Sequence, residues 1–131
     1  MIGRQRAVES VRPDPMALAA FYAAVVGSEV TDGSDDMWAT IPIPGGTPDL
    51  ALSFQRDENY TAPSWPEGPV PQQMHLDFEV DEFAPERERV IGLGATLVRS
   101  CIRDDGYGWE VFRDPVGHLF CLCRNKDHDW D

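Results

Sequence analysis

His75 and Asp77 stand two residues apart in Met74-His75-Leu76-Asp77-Phe78-Glu79-Val80. Strict alternation of apolar and polar residues reads as a β-strand with His75, Asp77 and Glu79 on one face and Met74, Leu76, Phe78 and Val80 on the other. An imidazole on a strand face can act as a general base or as a hydrogen-bonding group in a pocket. A carboxylate two residues away favours its charged form. The same imidazole also serves as a half-buried structural group bonded to a backbone carbonyl. Cys121 and Cys123, in Leu119-Phe120-Cys121-Leu122-Cys123, share one face of a second strand but lack the turn that would let them bridge. A deprotonated cysteine can serve as a thiolate metal ligand. The alternative is that the cysteines are small buried hydrophobes.

Aromatic residues supply the other candidate chemistry. Trp38 and Trp109 are large apolar walls of the kind a small-molecule pocket needs, and an indole also stacks on cationic ligands. Trp65 lies among Pro63, Pro66, Pro69 and Pro71, where it can cover a cavity mouth or a subunit contact. His118 falls in a hairpin turn and is expected to face solvent, and His128 lies in the polar tail. No nucleophile triad, phosphate-binding glycine loop or zinc-finger spacing is present.

The elements that must position these residues occur twice. Trp38 and Trp109 are each followed by Pro six residues on and Gly eight residues on. Upstream of each lies an acidic turn, a helix and a glycine stop. Gln5 to Val11 reads as a strand. Asp14-Pro15 opens a helix with Asp as cap and Pro at the first position, Leu18, Phe21, Tyr22 and Val25 on its apolar face, and Gly27 as its end. Ala17, Ala20, Ala23 and Ala24 form a small-residue face suited to close approach by another element. Strands are expected near Glu29 to Thr31, Met37 to Pro42 and Leu50 to Gln55. Residues 57 to 71 form a proline-rich linker, expected to be extended and stiff. In the second half the pattern gives a strand over Met74 to Val80 and a helix from about Pro85 to Leu93 that ends at Gly94. Strands near Thr96 to Cys101, Gly108 to Arg113 and His118 to Arg124 follow, with a type I turn at Asp114-Pro115-Val116-Gly117.

The 131 residues, 42% hydrophobic, are one domain's worth of chain. We divide it into a module over about 5–56, the linker over about 57–72 and a module over about 73–125. A formal charge of -12 disfavours nucleic acid and anionic membranes as partners and favours cationic ligands. Three cysteines, an odd number, fit a reduced cytoplasmic protein. No apolar run approaches the roughly 18 residues that span a membrane.

The ordered motifs Asp14-Pro15-Met16-Ala17-Leu18-Ala19-Ala20-Phe21-Tyr22, Pro71-Gln72-Gln73-Met74-His75-Leu76-Asp77-Phe78, Leu93-Gly94-Ala95 and Asp114-Pro115-Val116-Gly117-His118-Leu119-Phe120 resemble the vicinal oxygen chelate superfamily, the glyoxalase/bleomycin resistance fold. The resemblance implies an α+β architecture in which two βαβββ modules form incomplete barrels around a cavity, and it implies homodimers. Metalloenzymes of that superfamily draw ligands from the first and last strands of each module, usually His or Gln in the first and Glu in the last. Matching Asp14 to Glu82 sets Ala7 opposite His75, Ser53 opposite Cys121 and Gln55 opposite Cys123, an offset of 68. The Trp repeat runs at 71. On this register only His75 keeps the usual ligand type, and Cys121 replaces the final Glu. The resemblance therefore implies a cavity without a metal cofactor, lined by Trp38, Ser53, Gln55, His75, Trp109 and Cys121, that holds a small cationic or aromatic molecule as drug-sequestering relatives do. The alternative is a lyase or dioxygenase, with a divalent metal at an atypical site on His75 and Cys121 or with metal-free acid/base catalysis by His75 and Asp77.

Overall fold

The computed structural model describes residues 5–11, 14–44 and 50–125. His128 lies outside them. The architecture is α+β, and the chain forms two compact units, Met1–Thr61 and Ala62–Asp131.

The first unit contains strand β1 (Gln5–Val11), helix α1 (Pro15–Val26) and strands β2 (Trp38–Ile43) and β3 (Leu50–Arg56). They form a sheet ordered β1-β3-β2, parallel between β1 and β3 and antiparallel between β3 and β2. Asp14 caps α1 by accepting the Met16 N–H at 3.0 Å, Pro15 occupies the first turn, and Gly27 closes the helix in the left-handed region at φ 71°. The expected apolar face, Leu18, Phe21, Tyr22 and Val25, is buried, with Ala19 and Ala23 beside it. Tyr22 stacks on Phe54 of β3 with ring centroids 5.6 Å apart. Ala17, Ala20 and Ala24, by contrast, are exposed. The strand expected at Glu29 to Thr31 does not form. One backbone bond, from Thr31 N–H to the Thr40 carbonyl, ties that segment to β2, and a single bond is not a ladder.

The second unit contains β4 (His75–Glu79), α2 (Phe83–Leu93), β5 (Thr96–Ile102), β6 (Gly108–Arg113) and β7 (Leu119–Arg124). Its sheet is ordered β4-β7-β6-β5, with β4 parallel to β7 and the other pairs antiparallel. Helix α2 starts two residues before the expected Pro85, at Phe83, with Glu82 as the capping position. Proline is tolerated there because a first-turn N–H has no helical acceptor to lose. Phe83 and Val90 are the buried residues of α2. Arg87 reaches from the helix to Glu110 of β6, a carboxylate only 1% exposed, with its Nε at 2.8 and 3.1 Å from the two oxygens. Phe112 and Phe120 stack on the same side of the sheet, 5.4 Å apart.

The turn at Asp114 to Gly117 forms as expected, closed by the Gly117 N–H on the Asp114 carbonyl at 3.0 Å. His118 departs from expectation: it is buried, 1% exposed, because the Asp114 carboxylate draws the Val116 and His118 N–H groups inward, each at 3.0 Å. The proline-rich segment also departs from expectation. The Ser64 N–H donates to the Val70 carbonyl and the Val70 N–H to Ser64 Oγ, both at 2.8 Å, so residues 64–70 form a closed loop instead of an extended spacer.

The ladders test the internal register directly. Trp38 pairs with Gln55 as Trp109 pairs with Cys123, and Thr40 pairs with Ser53 as Val111 pairs with Cys121. Offsets of 71 on the Trp strands and 68 on the last strands therefore hold together. The first strands differ by one residue. His75 pairs with Leu119, while Ala51, the counterpart of Leu119, pairs with Arg6. Arg6, not Ala7, takes the ladder position equivalent to His75. A match made through the helix starts misses a one-residue change in the loop before the helix, and one residue exchanges the faces of a strand.

Candidate functional site

On the face of the second sheet opposite Glu110 and Phe112, Val111, Leu119, Cys121 and Cys123 form a buried apolar patch against which Trp65 and Val98 pack. Arg113 holds the loop that delivers Trp65, donating to the Pro63 carbonyl at 2.9 Å and to the Trp65 carbonyl. A cavity of about 490 Å³ opens on this face. Its walls include Trp65, Trp109, Arg99, Cys101, and the expected His75, Asp77 and Cys121.

Of the residues expected to bind a ligand, His75, Trp109 and Cys121 come together here. Trp38, Ser53 and Gln55 lie in the first unit. Trp38 and Gln55 are cross-strand neighbours there, and Ser53 is fully buried with its hydroxyl 2.8 Å from that of Thr40.

His75 is held at both ring nitrogens. Nε2 lies 2.9 Å from Asp77 Oδ1 and Nδ1 lies 2.9 Å from Gln72 Oε1. The two contacts fix the plane of the ring, and the Gln72 amide can meet either an N–H or a lone pair at Nδ1. One ligand atom each from His75, Asp77 and Cys121 lie within 4.8 Å of one another. Nitrogen, carboxylate oxygen and sulfur at this separation fit a zinc-like ion once side chains adjust, with a fourth position left for an outside donor. The Cys121 thiol opposes that use: the adjoining Cys123, its own burial and the Asp77 carboxylate all push it well above the ordinary range. Without a cation to offset the charge, Cys121 stays protonated.

Arg99, Cys101 and Gln72 are site residues that were not expected from the sequence. Arg99 and Cys101 alternate on β5 and pair with Val111 and Trp109. That alternation, carried across the β5–β6 hairpin, is the signal that finds them. Gln72 precedes the strand and carries no periodic signal.

Comparison with known proteins bears on the family and the fold. Residues 7–123 match the family described as "Glyoxalase-like domain". Similar solved structures include a glyoxalase/bleomycin resistance protein/dioxygenase family enzyme from Burkholderia phytofirmans PsJN, 19% identical over 92% of this chain and 96% of that one, TM-score 0.68. The fosfomycin resistance protein FosX from Mesorhizobium loti is 18% identical over 97% and 92%, TM-score 0.64. Oxidase ChaP-H2 is 21% identical over 100% and 99%, TM-score 0.66. At these identities the likeness is one of fold. Among curated proteins none matches the sequence.

Proposed function

The chain belongs to the glyoxalase-like domain family, and from that premise we propose that it binds a small aromatic molecule in the cavity of the second unit without a metal, in the manner of drug-sequestering resistance proteins. The observation that carries this reading is the cavity itself: about 490 Å³ between Trp65 and Trp109, floored by Val111, Cys121 and Cys123 of the buried patch. That volume suits one drug-sized ligand, and two indoles supply stacking surface for it. The two compact units are then the two modules of one glyoxalase-like domain, acting as a cytoplasmic homodimer. A thermal-shift series against aromatic compounds tests it: a ligand of the cavity raises the unfolding temperature of the native chain, and Trp109→Ala removes the shift. Trp109 is 45% exposed, so the variant folds. Ligand shifts that survive unchanged in Trp109→Ala overturn the assignment to this cavity.

The grouping of His75, Asp77 and Cys121 favours a second reading, a lyase or dioxygenase type of enzyme. Those three residues would hold a divalent ion, which when bound supplies Lewis-acid polarisation of substrate oxygens. Without the ion, His75, oriented by Asp77 and Gln72, is placed to hold or move a proton at Nε2 or Nδ1. Elemental analysis of protein purified without chelator separates the readings. Stoichiometric metal lost in His75→Ala overturns the metal-free one.

A further inference from the structure

We infer that Arg99 is an anion-recognition residue of this cavity, so that the ligand is an aromatic or apolar molecule carrying a carboxylate, phosphonate or similar oxyanion. This assignment rests on the reading of the cavity as a small-molecule site. It also reverses the preference that net charge alone suggests.

The chain has 23 acidic and 11 basic residues, so an arginine has carboxylates in excess to meet. Among the described residues, Arg56, Arg87, Arg89 and Arg103 each face a carboxylate. Arg113 and Arg124 donate to backbone carbonyls. Among the arginines whose side chains are described, Arg99 is the one with no oxygen partner. Its guanidinium instead lies over the Trp65 ring, 5.2 Å from the centroid, within the cavity wall. A cation–π contact with the indole holds the guanidinium in the wall without using its N–H donors on an oxygen, so they are available to a bidentate oxyanion.

The ladder register gives the cavity a polarity. Arg99 pairs with Val111, Val111 with Cys121, and Cys121 with Asp77, so these four residues form one row across four strands. Three strand spacings separate the cationic end from the anionic end, about 14 Å. Asp77 is already engaged by His75 at 2.9 Å, whereas Arg99 has no such engagement. Between the ends lie an isopropyl group and a protonated thiol, with indoles on the walls. A ligand complementary to this row has an apolar middle and places its anion at Arg99. A cation steered in by the overall field meets the guanidinium at one end and a carboxylate already paired at the other.

Isothermal titration calorimetry on the full chain with 2-naphthoate, 2-naphthamide and 2-naphthamidine tests the assignment, since the three share a ring system and differ in charge. Naphthoate is expected to bind about tenfold more tightly than naphthamide, the gain of one charge-assisted hydrogen-bonded contact. Arg99→Gln brings the naphthoate-to-naphthamide ratio to about one, Arg99→Lys keeps part of it, and Arg103→Gln, outside the cavity, leaves it unchanged. Naphthamide or naphthamidine binding as tightly as naphthoate overturns the anion assignment while the cavity reading stands. A naphthoate preference that persists in Arg99→Gln also overturns it. If none of the three binds, the cavity reading falls and takes this inference with it.

Discussion

The two units solve one folding problem by different chemistry. In the first, α1 buries Pro15, Leu18, Ala19, Phe21, Tyr22, Ala23 and Val25 against its sheet, and the Tyr22 hydroxyl is the one polar side-chain group among them. In the second, α2 buries Phe83 and Val90, and the helix is pinned through Arg87 to a carboxylate that the sheet has taken almost wholly out of water. A unit held by an apolar face tolerates change at its polar positions. A unit held by a buried ion pair transmits a change at the helix to β6, the strand that also carries Trp109 and Val111 of the cavity. The same division separates the opposite sheet faces. The first unit places a hydroxyl pair, Thr40 and Ser53, where the second places Val111 and Cys121 beside Asp77.

Breaking each packing device sharpens the contrast. Phe54→Ala, which removes the ring stacked on Tyr22, is expected to cost about 3–5 kcal/mol in urea unfolding, with the cavity in the second unit unaffected. Arg87→Ala leaves Glu110 charged and buried, and is expected to cost about 3 kcal/mol. The double change Arg87→Leu with Glu110→Leu should recover most of that loss, because the desolvated charge is gone. A double variant as unstable as Arg87→Ala alone would mean that geometry, not charge burial, sets the cost.

The two helix ends make a finer comparison. Gly27 at φ 71° has open space where a Cβ would point, so Gly27→Ala costs about 1 kcal/mol for the left-handed backbone alone. At Gly94, φ is 118° and an added Cβ would stand 3.3 Å from Pro115 Cγ, so Gly94→Ala should cost about 2 kcal/mol. Equal midpoints for the two variants would remove Pro115 from the account.

Chemical modification separates the thiols. Iodoacetamide near pH 8 should label Cys101, which is partly exposed, well before Cys121, which is buried and held as a thiol by Cys123 and Asp77. Peptide mapping by mass spectrometry reads the order. Labelling of Cys121 first would contradict its protonated state.

The smallest effect belongs to the turn before β2. Met37 and Trp38 N–H groups donate to Asp35 Oδ1 at 2.8 and 3.0 Å and hold its carboxyl below the usual carboxylate value. A lowered folded-state value means stabilisation that is complete above the unfolded value, about pH 4, and lost as pH falls through the folded one. The side chain is fully exposed, so NMR titration of Asp35 and of the Trp38 amide is the fitting measurement, with a midpoint below that of a free aspartate.

The alternation of Met74 to Val80 determined by itself that His75 and Asp77 share a face, because a strand's side chains alternate whatever surrounds it. The Asp14-Pro15 start, the two glycine stops and the Asp114 turn were equally legible, since each is a local backbone requirement met by its own residues. The paired Trp spacing correctly aligned β2 with β6, and the offset of the helix starts aligned β3 with β7. Tertiary structure decided the rest, through contacts between residues far apart in the chain. It set Arg6 rather than Ala7 in the place of His75, buried His118 under the Asp114 turn, folded the proline-rich loop onto β6 through Arg113, and thereby laid Trp65 beneath Arg99. Local pattern fixes which face a side chain takes. Which faces meet, and which charges lose their water when they do, depends on the packing of whole elements, and that is where this cavity acquires its polarity.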